Sequence, residues 1–113
     1  MRLVFLSQPV KDIKKAVAFY RDVLGMEEAW REGDHTVAIQ TSSDVQILLE
    51  DEEVELEIGA GGIYVVDSVD KFYNDNMVRL TFIKEPRDIP PGRYAIFSDV
   101  SGNPIRIIDM TKQ

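Results

Sequence analysis

Apolar and polar residues alternate with two different periods along the first 50 residues. Residues 2–8 form a short, mostly apolar run, which predicts a strand. Asp12 is the predicted N-cap of a helix, because its carboxylate can accept a hydrogen bond from the first turn. Gly25 suits the left-handed residue that ends such a helix. Between them, apolar residues recur at helical spacing on one face: Ile13, Ala16, Val17, Tyr20, Val23 and Leu24.

Three further strands are predicted after this helix, at 27–32, 36–41 and 45–50. Turn-forming residues separate them, Gly-Asp at 33–34 and Ser-Ser-Asp at 42–44. The acidic segment EDEEVELE (50–57) is predicted to be a solvated linker or an edge. The first half of the chain therefore has the predicted order βαβββ.

The second half repeats this order. A strand at 61–66 precedes a helix that Ser68 caps, and strands follow near 80–84, 93–98 and 104–109. The apolar stripe of this helix is shorter and consists of Val69, Phe72, Tyr73 and Met77.

Two alignments relate the halves. Val10 aligns with Val66 at the start of each helix, and VQILL (45–49) aligns with IRIID (105–109) in the last strands. The offset in the second alignment is the larger one, so the second half has about four extra residues. We place them in the breaker-rich loop EPRDIPPG (85–92).

The predicted fold is α+β: two βαβββ modules in tandem, forming a paired, cleft-enclosing mixed sheet. The modules are 1–50 and 61–113, within a single domain of 1–113. A module of this size cannot bury its sheet face alone, so the two are expected to pair.

Composition and charge exclude several kinds of site and partner. The 113 residues include no cysteine, so disulfides, zinc–thiolate sites and cysteine nucleophiles are excluded. No apolar run approaches the roughly 20 residues that cross a bilayer, and the N-terminal run is too short for a signal peptide. The formal net charge of −7 repels phosphate backbones. We expect a cytoplasmic protein with neither nucleic-acid nor membrane partners.

Two segments, VKDIKKAVAFYRDVLGM (10–26) and FSDVSGNPIRI (97–107), give the sequence its resemblance to a known family. It resembles the vicinal oxygen chelate superfamily, which includes glyoxalase I, bleomycin-resistance proteins and extradiol dioxygenases. The first segment matches the family's opening strand-to-helix pattern, and the second its Asp-x-x-Gly-Asn turn and last strand. Asp99, Gly102 and Asn103 are expected to form that turn and to take no part in catalysis.

The resemblance also implies where a metal would bind. In metal-dependent members, four inward strand positions carry His, Glu or Gln and hold one divalent ion. In this chain those positions are Phe5, Gln46 (Leu48 or Glu50 if the register shifts), Gly61 and Arg106. Phenylalanine and glycine have no ligating side chain, and arginine is a permanent cation. We expect no cofactor and no divalent metal. The single histidine, His35, is interpreted as an exposed residue after a turn.

Arg106 has two interpretations if its side chain points inward. A buried cation needs a partner, and a ligand's carboxylate, phosphate or phenolate suits the guanidinium fork. An internal acid, Glu50 or Asp99, would serve equally, and the side chain would otherwise extend to solvent.

Aromatic residues on the predicted strands suit either a ligand cavity or ordinary packing: Phe5, Trp30, Tyr64, Tyr94 and Phe97. The candidate ligand-binding residues are Phe5, Trp30, Gln46, Leu48, Glu50, Gly61, Tyr94 and Arg106.

Three functions stay open at this point. The favoured one is a metal-independent small-molecule binding protein of the drug-sequestering kind. The alternatives are a metal-dependent lyase or dioxygenase with non-standard ligands, or an isomerase using a lone acid, and a regulatory module with a filled cleft. The resemblance further implies a homodimer.

Overall fold

Eight strands and three α-helices make up the computed structural model, which describes residues 1–113. The strands are β1 (Arg2–Pro9), β2 (Glu28–Glu32), β3 (Thr36–Ile39), β4 (Gln46–Glu50), β5 (Gly61–Val65), β6 (Thr81–Ile89), β7 (Gly92–Ser98) and β8 (Pro104–Ile108). The helices are α1 (Ile13–Ala18), which continues as a π-helical turn over Phe19–Val23, α2 (Glu53–Ile58) and α3 (Val69–Asn76). None of these helices has the length and apolar character needed to span a membrane.

The chain forms two compact units. The first unit is Val4–Ala60, and the second is Gly61–Gln113 with Met1–Leu3. The first has the strand order β2-β3-β4-β1, with β1 parallel to β4 and the other pairs antiparallel. The second has the order β6-β7-β8-β5, with β5 parallel to β8. The predicted repeat and the mixed α+β fold are confirmed.

Helix α1 begins as the sequence predicts but ends differently. The Asp12 carboxylate accepts a hydrogen bond from the Lys15 backbone N–H at 3.0 Å, and Ile13 and Val17 are buried against β3 and β4. The predicted stripe is wrong at its end, where the Val23 and Leu24 side chains are 69% and 51% exposed. The π-helical turn changes the angular spacing of side chains, so residues beyond it leave the buried face.

Helix α3 follows the same plan. The Ser68 hydroxyl caps it by accepting from the Lys71 backbone N–H at 3.1 Å. Val69 is buried against β7 and β8, together with Ala95 and Ile107. Met77 is 51% exposed, so the predicted stripe is wrong at its last position.

The acidic segment is not a solvated linker or an edge, because it contains helix α2. Glutamate is a good helix former, and Val54 and Ile58 lie four residues apart on a half-buried face. Glu55 is 2% exposed. The prediction of a linker rested on the number of acidic residues alone, and it was wrong.

The predicted loop 85–92 is mostly strand. β6 extends to Ile89, and only Pro90 and Pro91 separate it from β7. Pro86 sits at a register irregularity between Lys84 and Arg87, on the outermost strand of the second unit. Proline lacks a backbone N–H, and edge strands and bulges are where a sheet accepts it.

The β6–β7 hairpin is longer than the β2–β3 hairpin, as predicted, but the second half as a whole is about two residues longer and not four, because Arg106 corresponds to Leu48. Seven residues separate Trp30 from its partner Ala38, whereas eleven separate Lys84 from its partner Ile96.

The pairing register corrects one alignment. Ser7 and Ile63 each lie five residues before a helix N-cap, so they are counterparts in the two units. Ser7 pairs with Leu48 as Ile63 pairs with Arg106. The counterpart of Arg106 is therefore Leu48 and not Gln46. A slip of two residues keeps the same face of the strand, so both positions point the same way.

Candidate functional site

The candidate residues lie on the sheet face opposite the helix of each unit. In β3 and β4, Val37, Ile39 and Leu49 pack against α1, so the intervening residues point the other way. The same alternation in the second unit puts Ala95 and Ile107 against α3. In the first unit, the candidate residues on this side of its strands are Phe5, Trp30, Gln46, Leu48 and Glu50. In the second unit, the corresponding side of its own strands carries Gly61, Tyr94 and Arg106.

Phe5, Trp30 and Gln46 form one connected group in the first unit, called here the aromatic platform. The Phe5 and Trp30 rings meet edge to face, with centroids 5.9 Å apart. The Trp30 indole N–H donates to the Gln46 side-chain oxygen at 3.0 Å, and the Gln46 amide donates to Gln40 at 3.0 Å. The indole is held by two contacts, yet Trp30 is 39% exposed.

Strand pairing explains why the platform forms. Phe5 lies opposite Gln46 across β1 and β4, and Trp30 lies opposite Ala38 across β2 and β3. Ala38 is fully buried, and its small side chain leaves room for the indole to reach Gln46. A register shift between Glu28 and Trp30 further re-aims the Trp30 side chain.

Leu48 and Glu50 follow Gln46 on the same face. Leu48 is buried and Glu50 is half-buried. The Thr36 hydroxyl approaches the Glu50 carboxylate at 3.5 Å, the long limit of a hydrogen bond.

Arg106 is the central residue of the site in the second unit. It is 0% exposed, and its Nε donates to the Tyr94 hydroxyl at 3.2 Å. The Arg87 guanidinium lies 5.0 Å from the Tyr94 ring centroid. A Cβ on Gly61 would come within 2.7 Å of the Pro104 carbonyl oxygen and 3.4 Å of Arg106 Nη1. Glycine is thus required beside the arginine.

Two of the interpretations of Arg106 drawn from the sequence are wrong. Its side chain does not extend to solvent. Asp99 is not its partner, because the Asp99 carboxylate accepts from the Ser101 and Asn103 backbone N–H groups and from the Asn103 amide, all within 3.0 Å. These bonds, the Asn103 amide first, hold the pKa of Asp99 below its ordinary value. The predicted turn is confirmed, with Gly102 at φ 85°.

Two aromatic residues considered from the sequence belong to the helix side. Phe97 stacks on Phe72 of α3 with centroids 5.5 Å apart, and Tyr64 packs against the same core. Sequence alone did not fix the strand register that decides this.

Two buried polar residues were not predicted from the sequence. Asp109 is 1% exposed and accepts four hydrogen bonds. Ser7 is 1% exposed, and its hydroxyl has no hydrogen-bond partner. The sequence did contain a signal for Ser7. It lies two residues after Phe5, and residues two apart in a strand share a face, so Ser7 was expected on the candidate side of β1.

His35 is exposed, as expected, and it is the last residue of the turn before β3. Its side chain also has a partner. Its Nδ1 lies 2.8 Å from an Asp51 carboxylate oxygen. This hydrogen bond raises the pKa of His35 above its ordinary value.

The residues at the family's metal positions do not fit a divalent ion. Phe5, Gly61 and Leu48 have no donor atom, and Arg106 brings a buried positive charge. No three His, Asp or Glu side chains converge elsewhere.

A family model described as Glyoxalase/Bleomycin resistance protein/Dioxygenase superfamily matches residues 2–107. The chain belongs to this superfamily. No curated protein sequence matches it.

Solved structures of the superfamily fold are similar at low identity. An NAD-dependent benzaldehyde dehydrogenase from Legionella pneumophila is 17% identical over 94% of this chain and 97% of its own, with a TM-score of 0.77. A superfamily member from Vibrio splendidus is 20% identical over 96% of this chain and 97% of its own, with a TM-score of 0.68. Methylmalonyl-CoA epimerase from Mycobacterium tuberculosis is 19% identical over 96% of this chain and 87% of its own, with a TM-score of 0.69. These similarities establish the fold alone.

Proposed function

We propose that this superfamily member is a metal-independent small-molecule binding protein of the sequestering kind, whose aromatic platform holds a flat, largely apolar ligand. The observation that carries the proposal is the state of Trp30. A large ring fixed by Phe5 and Gln46, yet 39% exposed, is a surface already shaped for stacking. Little ordering of the ring is then needed on binding.

The residue that occupies the family's last-strand metal position in the second unit supports binding without a metal. A guanidinium stays protonated at any physiological pH. At Arg106 it is fully buried, so solvent does not screen it well. Its guanidinium has donor atoms only, so Arg106 cannot ligate a divalent cation at this position of β8.

The first test uses Trp30 fluorescence, because this chain has a single tryptophan. A panel of planar aromatic compounds should include ligands that quench or shift the emission with saturation. Trp30→Leu should weaken binding of such a ligand, measured by calorimetry, by roughly 1–3 kcal/mol, the range for a nucleobase, itself a flat ring, stacked on an aromatic side chain. Gln46→Leu should weaken it less, because it removes only the group that orients the indole.

Phe19→Leu is the matched control, since Phe19 is 49% exposed but lies on the π-helical turn away from the platform. An equal loss of affinity in Phe19→Leu and Trp30→Leu would contradict the proposal.

The alternative, a metal-dependent lyase or dioxygenase with non-standard ligands, is tested by thermal unfolding of metal-stripped protein. We expect nickel, zinc, manganese, cobalt and iron(II) to leave the midpoint unchanged. A ligand at 100 times its dissociation constant adds about 2.7 kcal/mol of stability. A chelator-reversible shift of that size with one metal would favour the enzyme.

A further inference from the structure

The aromatic platform continues into a chain of hydrogen bonds, called here the amide relay, which runs through Trp30, Gln46, Gln40 and Thr41. The Trp30 indole N–H donates to the Gln46 side-chain oxygen at 3.0 Å. The Gln46 amide donates to the Gln40 side-chain oxygen at 3.0 Å, and the Gln40 amide donates to the Thr41 carbonyl oxygen at 2.9 Å. All three bonds therefore run in one direction, from the indole to the backbone.

The two ends of the relay fix the orientation of both amides. An indole N–H can only donate, and a backbone carbonyl can only accept. Turning the Gln46 amide over would put its NH₂ group against the indole N–H. Turning the Gln40 amide over would put its oxygen against the Thr41 carbonyl oxygen. Both glutamines therefore present their donor and acceptor atoms in a single arrangement.

The backbone at the outer end of the relay is held as well. The Gln40 backbone N–H donates to the Glu27 carbonyl oxygen at 2.8 Å. The Ser43 backbone N–H donates to the Thr41 hydroxyl at 3.1 Å, and the Val45 backbone N–H donates to the Ser43 hydroxyl at 3.1 Å. The Thr41 carbonyl thus belongs to a hydrogen-bonded turn, and little ordering of this segment is needed when a ligand binds.

Gln40 is the exposed member of the glutamine pair, whereas Gln46 is half-buried. A primary amide has two N–H donors and an oxygen that accepts at two lone pairs. The relay uses one N–H and one lone pair of the Gln40 amide. One donor and one acceptor position are left on an amide whose orientation is already set.

These two positions lie beside the surface that the platform offers for stacking. The N–H edge of the Trp30 indole faces the relay, and only the Gln46 amide separates that edge from Gln40. A flat ring stacked on the indole lies about 3.5–4 Å above it, at van der Waals contact. The edge of a fused two-ring ligand that extends past the indole N–H therefore comes within reach of the Gln40 amide.

We propose that the amide relay selects, among flat ligands, neutral heteroaromatic rings whose edge carries a hydrogen-bond donor next to an acceptor, as in a cyclic amide. The inference rests on the proposed function, because the ring must stack on Trp30. The ligand's carbonyl oxygen accepts from the remaining Gln40 N–H, and its ring N–H donates to the remaining lone pair. Glutamine reads the donor–acceptor edge of adenine in the same two-bond manner.

Charge favours a neutral ligand over an anion at this place. The relay consists of an indole, two amides and a carbonyl, none of which carries a charge. The net charge of the chain is −7, which repels anions at long range.

Three probes of one two-ring shape isolate the hydrogen bonds from the stacking. Carbostyril, the cyclic amide of the quinoline ring system, has an adjacent N–H and carbonyl. N-methylcarbostyril keeps only the carbonyl, and naphthalene has neither group. Calorimetry on the full chain should give affinities in that order, with carbostyril about tenfold tighter than naphthalene, as two net hydrogen bonds provide.

The outcomes separate this inference from the proposed function. Equal affinity for carbostyril and naphthalene would overturn the inference and leave the platform standing, because stacking alone would hold both rings. An absence of carbostyril binding would overturn it too. If Trp30 fluorescence then also fails to respond to every planar compound, the proposed function falls with it.

Gln40→Leu should weaken carbostyril binding by about five- to tenfold, the usual net contribution of the bonds it removes. Naphthalene binding should stay unchanged, which a disrupted fold would not allow. Gln8→Leu is the matched control. Gln8 is half-buried on β1 and pairs with Leu49, which packs against α1, so it lies on the other side of the strands. Equal weakening of carbostyril binding by the two variants would refute a specific role of Gln40.

Gln40→Glu tests the direction of the relay. The carboxylate still accepts from the Gln46 amide, so the indole N–H resonance of the single tryptophan should keep its position in the free protein. Carbostyril should bind at least as weakly as it does to Gln40→Leu, because the carboxylate has no N–H for the ligand's carbonyl oxygen. Undiminished carbostyril binding in Gln40→Glu would overturn the proposal.

Discussion

At the scale of single residues, Asp109 joins three segments of the second unit. Its carboxylate accepts from the backbone N–H groups of Val69, Arg93 and Thr111 and from the Thr111 hydroxyl, at 2.8 to 3.2 Å. Burial by itself raises the pKa of Asp109, but these bonds outweigh it, and the pKa lies below its ordinary value. The ionised form is therefore part of the folded structure.

Asp109→Asn is expected to lower the free energy of unfolding by about 2 kcal/mol, because an amide presents N–H groups to donors that need an acceptor. Urea denaturation at neutral pH measures this. Asp44→Asn, at an exposed turn position, is the control and should change stability little. If Asp109→Asn costs no more than this surface control, the carboxylate is dispensable.

The same residue predicts part of the acid sensitivity. Because its pKa is lower in the folded than in the unfolded chain, Asp109 stabilises the fold above the unfolded value of about 3.9. That contribution is lost as the pH falls through the lower, folded value. Between pH 5 and pH 2 the variant should lose less stability than the unchanged protein. Parallel curves would contradict this.

At the scale of elements, short strands and helices meet closely only where side chains are small. Gly92 opens β7 directly beside the end of β8, and a Cβ there would overlap the carboxylate and the carbonyl oxygen of Asp109. Gly25 ends the first helical segment with φ 71°, but open space surrounds it. The two glycines are therefore needed for different reasons, close approach in one case and backbone conformation in the other.

Gly92→Ala is expected to destabilise the protein by about 2–3 kcal/mol, since backbone atoms must move. Gly25→Ala should cost about 1–2 kcal/mol, because only the left-handed conformation is penalised. Thermal and urea unfolding of both variants compare the two mechanisms. Equal costs would mean that Asp109 moves away easily, and the packing argument would fail.

At the scale of the whole molecule, we expect a homodimer. Strand β2 is an edge strand of the first unit, and β6 is an edge strand of the second. Edge strands expose unpaired backbone groups. Light scattering after size exclusion should give twice the mass of one chain, with dissociation on dilution. A constant monomer mass at high concentration would contradict this.

The sequence by itself determined the repeat, because apolar period, caps and turns are local signals. Asp12, Ser68, Gly102 and the position of the longer hairpin were all predictable from neighbours in the chain. Local charge predicted secondary structure less well. The acidic segment forms helix α2, in which Val54 and Ile58 are half-buried on one face.

Only the tertiary structure decided which residues of neighbouring strands lie opposite each other. The register that matches Leu48 with Arg106, and the contact of Trp30 with Gln46, depend on pairing between strands distant in sequence. The ion pair between Asp70 of α3 and Arg93 of β7 likewise joins residues that are far apart in the chain. A single sequence carries no local signal for such pairs, because their energy exists only after the strands have met.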